Sequence, residues 1–216
     1  INNKNEKILY KDLLATSDSI VNSLLERKLI FLLCENNYEF ISTYIGCLRK
    51  KIVPALLSSQ IDLKLLINLI DIYLPKYILL PKSRNIEIKN YTKIYNLENY
   101  VILEKNKKKD YTLNNDLALL LSTSGSTGNK KFVRISYDNL DNNTQNIVKY
   151  LNIKKNHRTV TTMPPYYTYG LSIINTHLYV GASILVTNLK IIEKSFWNLM
   201  KSYKINSFGG VPYFYE

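Results

Sequence analysis

Three short, almost wholly apolar runs constrain this chain most: LIFLLC at 29 to 34, IVPALL at 52 to 57 and KYILLP at 76 to 81. Runs of that length without polar alternation mark strands buried on both faces, as in parallel sheets covered by helices. The intervals between them read as those helices. From Lys11 to Lys28, Leu13, Leu14, Ile20, Val21, Leu24 and Leu25 recur at helical spacing. YEFISTYIGCLRKK (38 to 51) and DLKLLINLIDIY (62 to 73) follow the same period, the second with Asp62 placed to cap its start. The order is βαβαβ, which predicts an α/β fold with a parallel sheet and helices on its faces.

Residues 82 to 115 are rich in Asn and Lys, and only YVIL (100 to 103) suggests a weak strand among loops. The alternation then resumes. DLALLLSTS runs from strand into loop, FVRIS is a short strand, YDNLDNNTQNIVKYL (137 to 151) a helix and TVTTM (159 to 163) a strand. SIINTHLYVG (172 to 181) is a helix closed by Gly181, ASILVT (182 to 187) a strand, and SFWNLMKSY (195 to 203) a helix. No repeat or low-complexity linker interrupts the pattern. A boundary near residue 110 therefore separates two halves of one unit, 1–110 and 111–216, rather than independent domains.

The formal charge of +12 raises the question of a nucleic-acid partner. Distribution argues against it, since Lys is scattered along the chain and the only dense run is EKNKKKD at 104 to 110. The 18 Tyr could stack on bases, but no nucleic-acid-binding signature accompanies them. Cys34 and Cys47 lie inside apolar segments without a partner at metal or redox spacing, which predicts buried thiols in a reducing compartment, the cytoplasm. No apolar run reaches the roughly 18 residues that a spanning helix needs.

The stretch LALLLSTSGSTGNKKFVRIS (117 to 136) carries the chemistry. A loop leaving a buried strand, with Thr123, Ser124, Gly125, Ser126, Thr127 and Gly128, offers convergent hydroxyl and amide donors on a backbone that glycine frees to bend. Oligophosphate oxygens need such donors. Lys131 adds a compact, mobile positive charge. The spacing is not that of a Walker A loop, because Gly125 and Gly128 are only three positions apart. The dinucleotide fingerprint and the nucleophile elbow fail as well.

STSGSTGNKKFV resembles the signature loop of the adenylate-forming superfamily of acyl-CoA synthetases, peptide-synthetase adenylation domains and luciferases, usually Y/F-T-S-G-S/T-T-G-x-P-K-G-V. TSGSTG matches throughout and Lys131 stands at the family's Lys, while Lys130 replaces the usual Pro and Phe132 the usual Gly. ISYDNL (135 to 140) is similar to LSHxNL, with Tyr137 at the common His. MPPYYTYGL (163 to 171) is similar to PLFHxxGL, with Tyr167 at the aromatic or His position near the acid pocket and Gly170 and Leu171 matching. GASILVT and INSFGGVPYFYE resemble the GAxxVL strand and the GVPxxY segment. The resemblance spans nearly the whole chain.

It implies layered, Rossmann-like, mostly parallel sheets and a partial N-terminal AMP-binding domain. It implies a ligase reaction in which ATP and a carboxylic acid give an acyl adenylate and pyrophosphate with magnesium, the acyl group then passing to coenzyme A or the phosphopantetheine of an acyl carrier protein. By resemblance, Thr123, Ser124, Gly125, Ser126, Thr127, Gly128 and Lys131 bind the nucleotide, and Tyr167 and Gly170 face the acid. No catalytic residue is assigned within the chain. The adenine and ribose motifs and the late catalytic Lys of the family lie beyond its GVPxxY segment, so residues 1–216 are expected to be part of a larger enzyme and inactive alone. A non-catalytic nucleotide-binding module of the same fold is the alternative. His177, mid-helix and without a neighbouring second ligand, reads as a packed or pocket-lining imidazole, His157 as solvated, and Phe196 and Trp197 as packing under their helix.

Overall fold

The computed structural model describes residues 6–106, 111, 113–122 and 131–212. The chain divides into two compact units, one of Tyr10–Cys34 and Glu39–Tyr137, the other of Ile1–Leu9, Glu35–Tyr38 and Asp138–Glu216.

The larger unit opens with helix α1 (Tyr10–Val21), strand β1 (Leu29–Cys34), α2 (Tyr38–Arg49, of which Tyr38 falls to the other unit) and β2 (Val53–Ser58). It continues with α3 (Leu63–Tyr73), β3 (Tyr77–Pro81), a 3-10 turn (Lys82–Arg84), β4 (Tyr91–Asn96) and β5 (Tyr100–Lys105). β6 (Leu117–Ser122) and β7 (Phe132–Ser136) complete it. Helix α1 stops at Val21, short of the span that periodicity predicts, and the chain then turns through Arg27 at φ 54. Asp62 caps α3 as expected, its Oδ1 accepting from Leu65 N at 3.0 Å.

All strands of this unit join one seven-stranded sheet in the order β4-β5-β3-β1-β2-β6-β7. Its centre is parallel: Leu29 lies opposite Val53, Ile30 opposite Tyr77, and Ala55 opposite Leu120. Every residue of β1 and β3 is buried, as their unbroken apolar runs demand. Leu29, Phe31 and Leu33 of β1 and Val53, Ala55 and Leu57 of β2 form a core with Leu66, Leu69 and Ile70 of α3. Both edges are antiparallel, with β5 and β4 on one side and β7 on the other.

β4 departs from the sequence expectation, which placed only a weak strand and loops between residues 82 and 115. An edge strand buries one side at most, and polar residues there discourage pairing with other chains. YTKIYN, with Lys93 exposed, follows that rule and so shows no apolar run.

The smaller unit holds α4 (Tyr137–Tyr150, its first residue assigned to the larger unit), β8 (Arg158–Val160), α5 (Thr168–Tyr179), β9 (Ser183–Leu185) and α6 (Lys194–Ser202). β8 and β9 pair in parallel as a separate two-stranded sheet, from Arg158 opposite Ser183 to Val160 opposite Leu185. Val160, Leu185 and Phe196 form a buried cluster against which Leu189, Leu199, Met200 and Phe208 pack, and Leu171 and Ile174 of α5 are buried in the same unit. α5 starts at Thr168, before the predicted 172, and the chain leaves it through Gly181 at φ 69. Phe196 is fully buried, but Trp197 is 43% exposed and does not pack under its helix. Neighbouring helix positions lie about 100° apart, so both rings cannot face one core. The indole Nε1 of Trp197 instead donates to Ile191 O at 2.7 Å. Among the described residues no helix is long and apolar enough to cross a membrane.

Candidate functional site

β6 is buried from Leu117 to Leu121 and delivers the chain to Ser122, at the carboxyl end of a parallel strand. Ligands in open α/β sheets bind outside those ends. β7 returns antiparallel, with Ser122 opposite Phe132 and Leu121 opposite Val133. Thr123, Ser124, Gly125, Ser126, Thr127 and Gly128 lie outside the described residues. Lys131 is described and exposed, immediately before β7.

Two features hold the ends of this hairpin. At the far end, Arg27 donates from Nη1 to Leu117 O at 3.1 Å and from Nη2 to Asn114 O. Tyr137, which follows β7, donates its backbone N–H to Asp116 O at 3.0 Å. Burial pushes the Tyr137 phenol above its ordinary range, and the Arg27 charge draws it partly back. At the near end, the Phe132 ring meets Tyr73 edge-on at 4.9 Å and lies 6.0 Å from Phe31. The sequence reading assigned no role to Tyr73 or Phe31. Their apolar patterning announces core positions, but nothing in the sequence joins residues 31, 73 and 132.

In the smaller unit, MPPYYTYGL turns into α5. Tyr167 occupies the N-cap position without a side-chain cap, is 49% exposed, and its ring lies 4.6 Å from that of Tyr166. Gly170 is buried one turn later, and a Cβ there would sit 2.2 Å from Pro164 O and 2.8 Å from Met163 O. Only glycine allows the helix to approach its own entry segment so closely. Asn36 Nδ2 donates to Met163 O at 3.4 Å, a contact that the sequence reading missed because an Asn in a loop carries no distinguishing pattern.

His177 is buried, and its ring Nδ1 lies 2.8 Å from Ile173 O, so the proton on that nitrogen donates to the carbonyl. Burial lowers its pKa, the Ile173 carbonyl opposes the shift, and the nearby His157 adds to it. The packed imidazole expected from sequence is what is found. His157 is only partly exposed, against the expectation of a solvated ring. Among the described residues no group of three or more His, Cys, Asp or Glu could hold a metal ion.

The family model for AMP-binding enzymes matches residues 1–216. The chain belongs to this family. Among solved structures of similar fold, apo MatB from Rhodopseudomonas palustris has a TM-score of 0.78 at 22% identity, covering 99% of this chain and 46% of that one. O-Succinylbenzoate CoA synthetase (MenE) from Bacillus subtilis, in complex with the acyl-adenylate intermediate OSB-AMP, has a TM-score of 0.78 at 16% identity, covering 98% and 57%. CmiS6 has a TM-score of 0.81 at 15% identity, covering 98% and 53%. At these identities the likeness is one of fold. This AMP-binding chain spans 46% of the length of MatB and 57% of that of MenE. A search of curated proteins finds no match.

The mostly parallel α/β sheet expected from sequence is therefore the architecture of the N-terminal portion of adenylate-forming enzymes.

Proposed function

We propose that residues 1–216 belong to the N-terminal domain of an ATP-dependent ligase that converts a carboxylic acid to its acyl adenylate and pyrophosphate. The acyl group would then pass to the thiol of coenzyme A or of a carrier protein's phosphopantetheine. The supporting observation is the attachment of TSGSTG to the carboxyl end of the buried parallel strand β6, with Lys131 exposed at its exit.

In that reaction the acid carboxylate attacks the α-phosphorus, and the bond to the β-phosphate bridging oxygen breaks. Charge accumulates on the departing pyrophosphate, so groups that hold those oxygens stabilise the transition state more than the bound ATP. The hydroxyls and amides of Thr123, Ser124, Ser126 and Thr127 would donate to them, and the Lys131 ammonium would follow them as they leave. Gly125 and Gly128 would let the backbone come close. Tyr167, half exposed, would present its ring to the acid, and Gly170 would keep α5 tight against residues 163 and 164 beneath it. No side chain need form a covalent bond to substrate. Magnesium typically binds through substrate phosphates and a few oxygens. The described residues supply no metal-holding cluster of their own, and no step is assigned to the ion.

Cys34 and Cys47 are both buried thiols, which supports a reducing location such as the cytoplasm. The test is carboxylate-dependent exchange of pyrophosphate into ATP by the longest natural form of the protein, across pooled fatty, aryl, hydroxy and amino acids. Exchange with one pool that drops about 100-fold in Lys131→Ala, and less in Ser126→Ala, is the expected result. A folded protein that binds ATP but exchanges with no acid would instead be a non-catalytic nucleotide-binding module.

A further inference from the structure

The residue that follows Lys131 is not solvated. Phe132 pairs across the hairpin with Ser122, so it sits where β7 begins. Its ring reaches Tyr73, the last residue of α3, at 4.9 Å with planes 76° apart, a favourable edge-to-face geometry. Phe31, fully buried in β1, also lies 6.0 Å from it. The ring therefore ties an edge strand to both the central strand and the helix that covers it. Val133 and Arg134, the next two residues, are exposed. Of the first three residues of β7, all paired to β6 through their backbones, Phe132 is the one whose side chain is not exposed.

We propose that Phe132 is a positioning residue for Lys131, its ring clamped by Tyr73 and Phe31 so that the Lys131 backbone is held where the ammonium can meet phosphate. The inference rests on the reading of Lys131 as a phosphate ligand. The physical need is specific. A lysine side chain has four rotatable carbons and pays conformational entropy whenever it is fixed on a ligand. If its Cα also moves, the charge is spread over more positions and electrostatic binding weakens. An edge strand held only by hydrogen bonds to one neighbour frays, and fraying would begin at the Ser122 to Phe132 pair. A partly buried aromatic one residue from the lysine, packed on Tyr73 and Phe31, stops it there. Where the signature pattern has Gly, this chain has built the stop from a side chain.

A double-mutant cycle on the full-length protein tests this, read as equilibrium affinity for ATP with Lys131→Ala, Phe132→Ala and the pair. Each variant is first shown to fold by its thermal transition. Phe132→Ala is expected to weaken ATP binding about tenfold. Lys131→Ala should cost clearly less in the Phe132→Ala background than alone, because the lysine there is already misplaced. Phe132→Leu, which keeps an apolar side chain on Tyr73, should return affinity to within about twofold. A merely structural role predicts additive losses, and additivity or undiminished affinity in Phe132→Ala would overturn the anchor while leaving the phosphate reading intact. An unchanged ATP affinity in Lys131→Ala alone would sink the phosphate reading and the anchor together. If Phe132→Ala does not fold, Tyr73→Leu removes the edge contact and takes its place in the cycle.

Discussion

The two units solve the same problem with unequal means. The larger one surrounds β1 on both sides with parallel partners and packs Phe31 and Leu33 against α3, and Ile30, Phe31, Leu32 and Leu33 are wholly inaccessible. The smaller one has two strands of three residues each, and its buried apolar side chains come mainly from the Val160, Leu185 and Phe196 cluster and from Leu171, Ile173 and Ile174 of α5. A two-stranded sheet is marginal in water unless a helix or further strands pack on it. The difference predicts that stability in the larger unit is spread over many side chains, whereas in the smaller one it is concentrated in few.

Phe196→Ala is the largest test of that contrast. Losing a fully buried phenylalanine costs about 3–5 kcal/mol, and Phe196 is the largest of the three buried side chains of this cluster. Hydrogen exchange is expected to show protection lost across residues 138–212 while β1 and β2 stay protected. Leu32→Ala, about 2–5 kcal/mol, should lower protection in the larger unit as a whole. If Phe196→Ala deprotects β1 to the same extent, the units unfold as one and the contrast fails.

Gly170→Ala probes the smaller unit's tightest approach. The new methyl would meet backbone oxygens of Pro164 and Met163, which cannot rotate away. A loss of about 1–3 kcal/mol is expected from such overpacking, measurable by thermal melting, with α5 shifted off its entry segment. Trp197→Phe should cost less, under about 1 kcal/mol, because Ile191 O can turn to water once the exposed indole is gone. Set beside Phe196→Ala, it measures how far two adjacent aromatics differ.

The last effect is a slope rather than a step. His177 has a folded-state pKa below its ordinary value, chiefly because burial disfavours the imidazolium. The unfolded chain therefore binds the proton more readily, and stability is full above the unfolded value near about 6.5 and declines as pH falls beneath it towards the folded value. His177→Gln should flatten that decline in denaturant titrations between pH 7 and 5. An unchanged slope would assign it to other groups.

Much of the larger unit was legible because its strands obey a single demand. A strand buried on both faces must be apolar at every position, and LIFLLC and YILLP announce that without help from context. β4 was illegible for the converse reason, since an edge strand with Lys93 turned to solvent obeys no apolar rule. In the proposed site, TSGSTG and Lys131 stand out as candidates because donor chemistry is written in residue type. The ring cluster at the start of β7 does not, because Phe31, Tyr73 and Phe132 share no pattern until the sheet brings them to one place.

The sequence by itself determined the alternation of strands and helices, the capping of α3 by Asp62, the packed imidazole of His177 and the family to which the chain belongs. Each is a local or compositional property, set by hydrophobic period, side-chain donors or a contiguous motif. Tertiary structure alone decided that β6 pairs with β2, that the sheet's edges run antiparallel, that Phe196 rather than Trp197 enters a core, and that Phe132 rests on Tyr73. Those outcomes depend on which distant surfaces exclude water together, and burial area is a property of pairs of segments that no single segment encodes.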